Sequence, residues 1–207
     1  MTLVLASTSP RRYQILSLLN LPFLMVAPTG AESATKERLP AQEALYHAQR
    51  KAASLAGRFP GAILIGSDTL ISLDEARIGK PNDVRDARDI LGRLRGRAHE
   101  VVTAVALRHG AREFEIVETA RVRMRAFSDQ EMEAYLATCD SLDKAGAYSV
   151  QGMGRSLIEG FDGDYLAVVG LPLRAVAEGL RRMACPVPVD VDRLYEERNF
   201  LNWKTFV

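Results

Sequence analysis

Hydrophobic residues alternate between strand-like and helical spacing from the start of the chain. Residues 3–6 form a short, continuous apolar run that predicts a buried strand. Leucine and isoleucine then recur at helical spacing over residues 11–19, and residues 21–26 are again apolar and strand-like. This order predicts that the fold opens with a β-α-β unit.

The same two spacings continue through the rest of the chain. They predict helices over about 41–56 and over 84–94, a helix from a capping box at Ser128 to about 137, and a last helix over about 172–183. They also predict strands over 62–65 and 68–73 that continue or pair with each other, and an antiparallel hairpin of 99–108 and 113–125. Helices and antiparallel strands mix throughout, so we predict an α/β fold with a mixed, elongated central sheet flanked by helices.

Two regions depart from this regular alternation. Residues 146–163 are rich in glycine and predict short strands joined by tight turns. The segment from Pro186 onward begins Pro-Val-Pro and continues as a polar stretch. We therefore expect a single domain over residues 1–185, followed by a peripheral tail over residues 186–207.

Composition limits the classes of partner. The chain has 207 residues, of which 47% are hydrophobic, so it can bury a substantial core. Its 27 basic residues are balanced by 26 acidic ones. Because no bulk positive field exists, we expect neither nucleic acid nor an anionic membrane surface as a partner, and any anion must be bound locally.

The cysteines and the N-terminal sequence indicate the compartment. Cys139 and Cys185 are the only cysteines and form no CxxC pair, so neither a disulfide framework nor a thiolate zinc site is indicated. The first apolar run is short and passes directly into Arg11 and Arg12, which reverses the charge order of a secretory signal. We therefore expect a cytoplasmic protein.

The segment that joins the first strand to the first helix could bind phosphate. Ser9 can cap the helix and Pro10 suits its first position, so free N–H groups and the positive end of the helix dipole are presented there. Ser7, Arg11 and Arg12 add a hydroxyl and two guanidinium groups, and the two arginines diverge by about 100° around a helix. The alternative is a plain capped surface helix with solvated arginines.

Two carboxylates are candidates for a metal site. Asp68 follows an apolar strand, which would place it at the carboxyl end of that strand, where open α/β sheets bind their ligands. It would act there as a metal ligand or a general base, unless it is an ordinary turn aspartate. Glu32, in a polar loop, could help Asp68 to hold a divalent cation, because Mg²⁺ favours a few carboxylates plus phosphate oxygens.

Three lysines and a glutamine are candidates for binding a nucleotide. Lys51 shares a helix face with alanines, so its ammonium either reaches past the helix to solvent or enters a cleft and meets phosphate. Lys80 lies between Gly79 and a proline that holds it extended. Lys144 and Gln151 are each flanked by small residues, and the glutamine amide could read a base edge because it both donates and accepts hydrogen bonds.

Several common mechanisms have no counterpart in the sequence. The three histidines have neither metal-ligand nor triad spacing, and neither cysteine has a base near it in sequence. The Walker A and GxGxxG motifs are also absent. Covalent catalysis and these two modes of nucleotide binding are therefore not indicated.

Taken together, these segments resemble the Maf family of nucleoside triphosphate pyrophosphatases from Leu3 through Leu180. The resemblance rests, in chain order, on Ala-Ser-Thr-Ser-Pro-Arg-Arg at 6–12, Lys-Ala at 51–52, Gly-Ser-Asp-Thr at 66–69, Gly-Lys-Pro at 79–81, Leu-Asp-Lys-Ala-Gly-Ala-Tyr at 142–148, Gln-Gly at 151–152, Gly-Asp-Tyr at 163–165 and Val-Gly-Leu-Pro-Leu at 169–173. The chain departs from the family pattern at Ala31, Ser67 and Ala167.

The resemblance implies a fold and a reaction. The fold would have two lobes around a nucleotide cleft, and the reaction would be metal-assisted hydrolysis of a nucleoside triphosphate to the monophosphate and pyrophosphate, with Mg²⁺ or Mn²⁺. Asp68 would be the base and a metal ligand, and Glu32 the acid of the early loop. The phosphate-binding groups would be those of Ser7, Arg12, Lys51 and Lys80.

The resemblance also implies a substrate and an assembly. Arg11, Thr69 and Gln151 match the positions that sort substrates, and this set is similar to the dTTP/UTP branch rather than the 7-methyl-GTP branch. A homodimer is expected. A 7-methyl-GTP pyrophosphatase is one alternative. Because family members are also linked to control of septum formation, a nucleotide-binding regulatory protein without significant turnover is the other.

Overall fold

The structure is a computed structural model that describes residues 2–30, 38–138, 141–142, 144–200 and 202–206. Its strands are β1 (Leu3–Ala6), β2 (Leu24–Val26), β3 (Ile63–Leu73), β4 (Ala76–Ile78), β5 (Ala98–His109), β6 (Arg112–Met124) and β7 (Ile158–Asp162). Its helices are α1 (Pro10–Ser17), α2 (Pro40–Ala53), α3 (Val84–Leu94), α4 (Asp129–Leu136), α5 (Tyr165–Val169), α6 (Leu173–Arg182) and α7 (Val191–Glu197), with 3-10 turns at Ala145–Ala147, Gly152–Leu157 and Trp203–Phe206.

Most predicted elements are confirmed. Helix α3 has the predicted bounds, β5 and β6 form the predicted hairpin, and Ser128 caps α4 through a capping box with Glu131. Two elements are shorter than predicted: α2 ends at Ala53, and the second strand comprises only Leu24–Val26. No helix in the described ranges is long and apolar enough to cross a membrane.

The central sheet has seven strands and mixes parallel and antiparallel pairs, as predicted. Its order is β2-β1-β3-β5-β6-β7, with β4 paired to β3 off this path. Strand β1 runs parallel to both β2 and β3, and all other pairs are antiparallel. Helices flank this open sheet, which confirms the mixed α/β fold class, whereas the division into two lobes stays a prediction.

Strand β3 changes partner halfway along one of its edges. On that edge, residues 63–66 pair with β1 and residues 71–73 pair with β4, while no strand of the described chain pairs with residues 67–70. On the other edge, β3 pairs with β5 almost without interruption. The sheet therefore has a gap beside residues 67–70, just beyond the carboxyl end of β1.

This arrangement corrects the predicted position of Asp68. The expectation was that Asp68 lies at the carboxyl end of a buried strand, but it lies in the middle of the eleven-residue strand β3. The strand does not end earlier because β5 continues to pair with it from Leu64 to Ser72. The strand whose carboxyl end opens at the site is instead β1, which ends at Ala6.

The two faces of the sheet pack against different partners. One face carries Leu5 and Ile65 and belongs to the main core, together with side chains of α1, α3 and α6. The other face is covered by α2, whose Ala44, Ala48 and Ala52 are buried. The small alanines bring α2 very close to the sheet, and the site depends on this close approach.

The predicted peripheral tail packs into the main core. It contains α7, and its Val191, Tyr195 and Trp203 are buried members of the same cluster as the core of the domain. The expectation of a peripheral segment is therefore wrong for these side chains, and α6 is not the last helix. Val191 and Tyr195 lie among charged residues, whereas Phe200 and Phe206 lie close to Trp203, so the expectation of a polar tail overlooked apolar residues near its end.

Candidate functional site

A cavity of about 580 Å³ lies at the gap in the sheet. Its walls come from the segment after β1, from α2, from the middle of β3, from β4 and the residues after it, from the 144–151 segment and from α5. The predicted site residues that line it are Ser7, Arg11, Arg12, Lys51, Asp68, Thr69, Lys80, Lys144 and Gln151. The structure therefore brings together every predicted site residue that it describes.

Among the described residues that line the cavity, the closest contact between charged groups joins Lys51 to Asp68. The Lys51 Nζ atom lies 2.6 Å from Asp68 Oδ1, and the two side chains are only 11% and 10% exposed. Asp68 points toward α2 because it shares a face of β3 with Leu64 and Leu70, and Lys51 points toward the strand from the buried face of α2. The structure therefore places the Lys51 ammonium in the cavity rather than in open solvent, and its contact with phosphate stays a prediction.

The neighbours of Asp68 in β3 face the opposite side and meet a second cationic group. Arg12 donates from Nη2 to Thr69 Oγ1 at 3.1 Å and from Nε to the Gly170 carbonyl at 2.9 Å. The Ser67 hydroxyl donates to the same carbonyl at 3.0 Å. Successive residues of one strand thus contact Lys51 of α2 on one face, and Arg12 of α1 and the carbonyl after α5 on the other, because their side chains alternate between the two faces.

A buried threonine of β5 extends this network. The Thr103 hydroxyl lies 3.0 Å from Thr69 Oγ1 and donates to the Ala167 carbonyl at 2.8 Å. Thr103 stands directly opposite Thr69 in the β3-β5 register and is fully buried. The guanidinium group of Arg12 is therefore held in a fixed orientation at the cavity wall.

The helix start after β1 has the predicted capping geometry. Ser9 caps α1 by accepting from the Arg12 amide, and Pro10 occupies the first turn. Ser7 is buried and its hydroxyl accepts from the Ser9 amide at 3.1 Å. Arg11 also lines the cavity and is only partly exposed, so the two arginines lie where an anion at this helix start would meet them.

The remaining predicted residues lie on two linked segments. The Gly146 amide donates to the Gly79 carbonyl at 3.0 Å, which ties the segment of Lys144 to that of the exposed Lys80. Gln151 lies further along the first segment, and its Nε2 atom is buried without a hydrogen-bond partner among the described residues. Since a buried amide without a partner costs free energy, this group is suited to a ligand that accepts its hydrogen bond.

Several cavity groups were missed by sequence reasoning. Glu43 is buried on α2, where it accepts from Arg77 Nη1 at 2.5 Å and lies 3.5 Å from His47 Nε2. His47 and Arg77 line the cavity. His47 could have been found, since it lies one helical turn before Lys51 on the same face. The pairing of Glu43 with Arg77 has no signal in the sequence because the two are distant in the chain.

Tyr148 contributes a buried hydroxyl group behind the cavity wall. Its OH lies 2.7 Å from His99 Nε2, and the two rings meet edge to face. Burial raises the pKa of the Tyr148 hydroxyl and lowers the pKa of His99 to about 4. Both groups are therefore neutral near pH 7, and they hold the 144–151 segment against β5 without adding charge to the cavity.

The metal hypothesis depends on few protein ligands. Among the residues that the structure describes, no three His, Cys, Asp or Glu side chains could hold a metal ion together. Asp68 has one oxygen on Lys51 and a second oxygen available, and Glu32 lies outside the described residues. A single carboxylate in a cavity lined by cationic side chains fits Mg²⁺ or Mn²⁺, because these ions can take their other ligands from phosphate and water.

Comparison with known proteins shows clear relatives. A family model described as Maf-like protein matches residues 2–183. The dTTP/UTP pyrophosphatase of Symbiobacterium thermophilum is 40% identical over 185 residues, which are 89% of this chain and 95% of that protein. That of Dictyoglomus turgidum is 43% identical over 83% of this chain and 90% of its own length. That of Pyrococcus furiosus is 41% identical over the same two shares.

Proposed function

This chain belongs to the Maf family, and from that premise we propose that it is a nucleoside triphosphate pyrophosphatase acting on dTTP and UTP. The observation that carries the proposal is the buried pair of Lys51 and Asp68 in a cavity that also holds Arg12, Lys80 and Lys144. One carboxylate surrounded by cations is suited to a polyanionic substrate attacked by water. The names of the relatives support the choice of substrate.

In the proposed reaction, water attacks the α-phosphorus. Asp68 accepts a proton from that water, and the water oxygen forms the new bond to the α-phosphorus. The bond between this phosphorus and the oxygen that bridges the α- and β-phosphates breaks. Pyrophosphate then leaves with the bonding electrons. Lys51 holds the Asp68 carboxylate in place from 2.6 Å. No protein nucleophile is needed, because positioning and electrostatic stabilisation supply most of the catalysis of such reactions.

The cations of the cavity would divide the triphosphate between them. Arg12 is held by Gly170 and Thr69, so its guanidinium group is ordered before substrate arrives. Lys80 is exposed and lines the same cavity, and it would meet the outer phosphates as a point charge. Asp68, with Glu32, would hold a divalent cation, which when bound neutralises charge on the phosphate oxygens.

The side-chain amide of Gln151 is suited to bind a pyrimidine base. A uracil or thymine edge carries carbonyl acceptors beside an N–H donor, and the primary amide of Gln151 supplies both complementary groups. Its Nε2 atom is buried and without a partner in the described chain, so it can donate to a base carbonyl. Arg11 and Thr69 lie on the same cavity and would complete the choice of base.

A pyrophosphate-release assay tests the proposal directly. The panel comprises dTTP, UTP and 7-methyl-GTP, each with Mg²⁺ and with Mn²⁺. We expect release from dTTP and UTP and no turnover by Asp68→Asn, whose circular dichroism spectrum should match that of the wild type. Turnover of 7-methyl-GTP alone would assign the other branch of the family. Nucleotide binding without release under every condition would instead favour a regulatory protein.

We also propose that the chain acts in the cytoplasm as a homodimer. The resemblance to the family supports this proposal. Light scattering coupled to size-exclusion chromatography should give twice the mass of the 22.8 kDa chain. A monomer mass across the concentration range would refute the dimer.

A further inference from the structure

We propose that the C-terminal segment, residues 184–206, is a positioning element of the nucleotide site and that Tyr195 is its positioning residue. The segment lies beyond residues 2–183, which the family model matches, so the family pattern assigns it no role. This inference rests on the proposed function. Its physical basis is a series of contacts that runs from α7 through α5 to Arg12.

The first part of this series of contacts joins α5 to the cavity wall. The carbonyl of Gly170, directly after this helix, accepts from Arg12 and from Ser67, and the carbonyl of Ala167 accepts from Thr103. Val168 of the same helix lines the cavity. A shift of α5 would therefore move the guanidinium group that is proposed to bind phosphate.

The second part is the anchoring of α5 at its start. This helix has only five residues, so it has little stability of its own and depends on its ends. Asp164 caps it by accepting from the Leu166 amide at 2.8 Å through Oδ1. The other oxygen of Asp164 accepts from the Tyr195 hydroxyl at 2.7 Å. The helix cap is thus held by a side chain of α7.

The third part is the attachment of the segment itself. Trp203 stacks on Tyr165, the first residue of α5, with ring centroids 5.3 Å apart. Arg155 donates to the Thr205 carbonyl at 2.9 Å, and Arg174 of α6 pairs with Asp192 of α7 at 3.1 Å. These contacts attach the segment at separate points, so Tyr195 is presented to Asp164 by a supported element.

The charge of Asp164 provides a readout that simple loss of packing would not change. Burial raises the pKa of Asp164, while the Tyr195 hydroxyl lowers it, and the charged groups that act with it are Arg174 on α6 and Glu118 on β6. Without the hydroxyl, Asp164 takes up a proton at higher pH and the helix loses its charged cap. The effect on the site should then grow as pH falls.

The test compares Tyr195→Phe with a matched control on the same helix. Tyr195→Phe keeps the ring that packs on Trp203 and Arg174 but removes the hydroxyl. Arg193→Ala removes only the exposed ion pair with Glu197. We expect Tyr195→Phe to raise KM for dTTP roughly threefold to tenfold, the range for loss of the hydrogen bond to Asp164, with kcat within twofold, since the other contact of the hydroxyl, from the Arg174 amide, is long at 3.4 Å. The increase should be larger at pH 6 than at pH 8, and the control should equal the wild type.

A binding measurement separates this inference from the proposed function. Calorimetry with an α,β-imido analogue of dUTP should show the same weakening for Tyr195→Phe whether or not the wild type turns over. If the wild type hydrolyses dTTP and Tyr195→Phe has unchanged KM and affinity at both pH values, the inference is wrong. Should Tyr195→Phe fail to fold, Asp164→Ser, which keeps an N-cap oxygen but removes the oxygen that accepts from Tyr195, must raise KM in the same direction or the inference is likewise wrong.

Discussion

Gly66→Ala is expected to disable the site by moving the helix that carries Lys51. A Cβ atom at position 66 would lie 2.0 Å from the carbonyl oxygen of Ala48 and 2.8 Å from the amide of Ala52, both backbone atoms of α2. Ordinary van der Waals contact begins at about 3.4 Å. Because backbone atoms cannot rotate away, α2 must retreat from β3 by more than about 1 Å.

The expected loss of activity follows from the position of Lys51, which lies between Ala48 and Ala52 in α2. A retreat of α2 carries the ammonium away from Asp68, and a misplacement of about 1 Å at a catalytic group costs roughly 100-fold in rate. Overpacking of this kind also costs about 1–3 kcal/mol of stability, which lowers the melting temperature by roughly 2–4 °C per kcal/mol in a chain of this size. We expect kcat/KM to fall about 100-fold while the chain stays folded.

The assay pairs pyrophosphate release with thermal denaturation. Gly92→Ala is the matched control, since a Cβ at Gly92, in the last turn of α3, would have no atom within 4 Å and the change removes an unfavourable helix glycine. It should retain full activity and melt at the same or a higher temperature. If Gly66→Ala keeps kcat/KM within twofold of the wild type, the close approach of α2 does not position Lys51 and the reasoning is refuted.

Three further outcomes are expected. Lys51→Met should lower kcat at least about 100-fold with little change in fold, because it removes the cation beside Asp68, and activity near wild type would contradict this role. Thr103→Val should lower the free energy of unfolding by about 1–3 kcal/mol in urea denaturation and raise KM, whereas Thr103→Ser should restore both. If serine restores neither, the Thr103 hydroxyl does not have this role. For His99, burial lowers the pKa to about 4 from 6.5, so the unfolded chain takes up a proton that the folded chain does not. Stability should therefore fall between pH 6.5 and 4 by up to about 1.4 kcal/mol per pH unit, and His99→Gln should flatten that slope.

Local patterns predicted the elements well where capping chemistry and periodicity agree. Helix α3 has its predicted bounds because Asp83 caps it and its apolar residues recur at helical spacing. The β5-β6 hairpin follows from two long runs around a glycine turn. The short β2 was predicted too long because its flanking apolar residues pack against the core without joining the sheet.

The candidate site was predicted as a set of residues but not as a geometry. Asp68 was placed at a strand end, since the glycine and serine before it suggest a break, whereas pairing with β5 carries β3 straight through. The contact of Lys51 with Asp68 and that of Arg12 with Gly170 join residues far apart in the chain. Such contacts depend on how helices cross the sheet, which periodicity does not encode.

The buried role of the C-terminal segment was also not predicted. Trp203 packs against both Tyr195 and Tyr165, and Tyr165 lies far earlier in the chain. Nothing in the local pattern indicates that one hydroxyl reaches Asp164. The predicted tail was judged by its composition, whereas its burial depends on a surface that forms only when α5 and α6 pack.

The sequence by itself determined the fold class, most element bounds and the family, because these depend on spacing, capping and motifs that are local or occur in a fixed order. Only the tertiary structure decided where the site lies: at the gap where β3 exchanges β1 for β4, with Asp68 facing α2 and Thr69 facing Arg12. The reason is physical. Alternation along a strand assigns neighbouring side chains to opposite faces, but which helix covers each face is settled by packing across the whole chain.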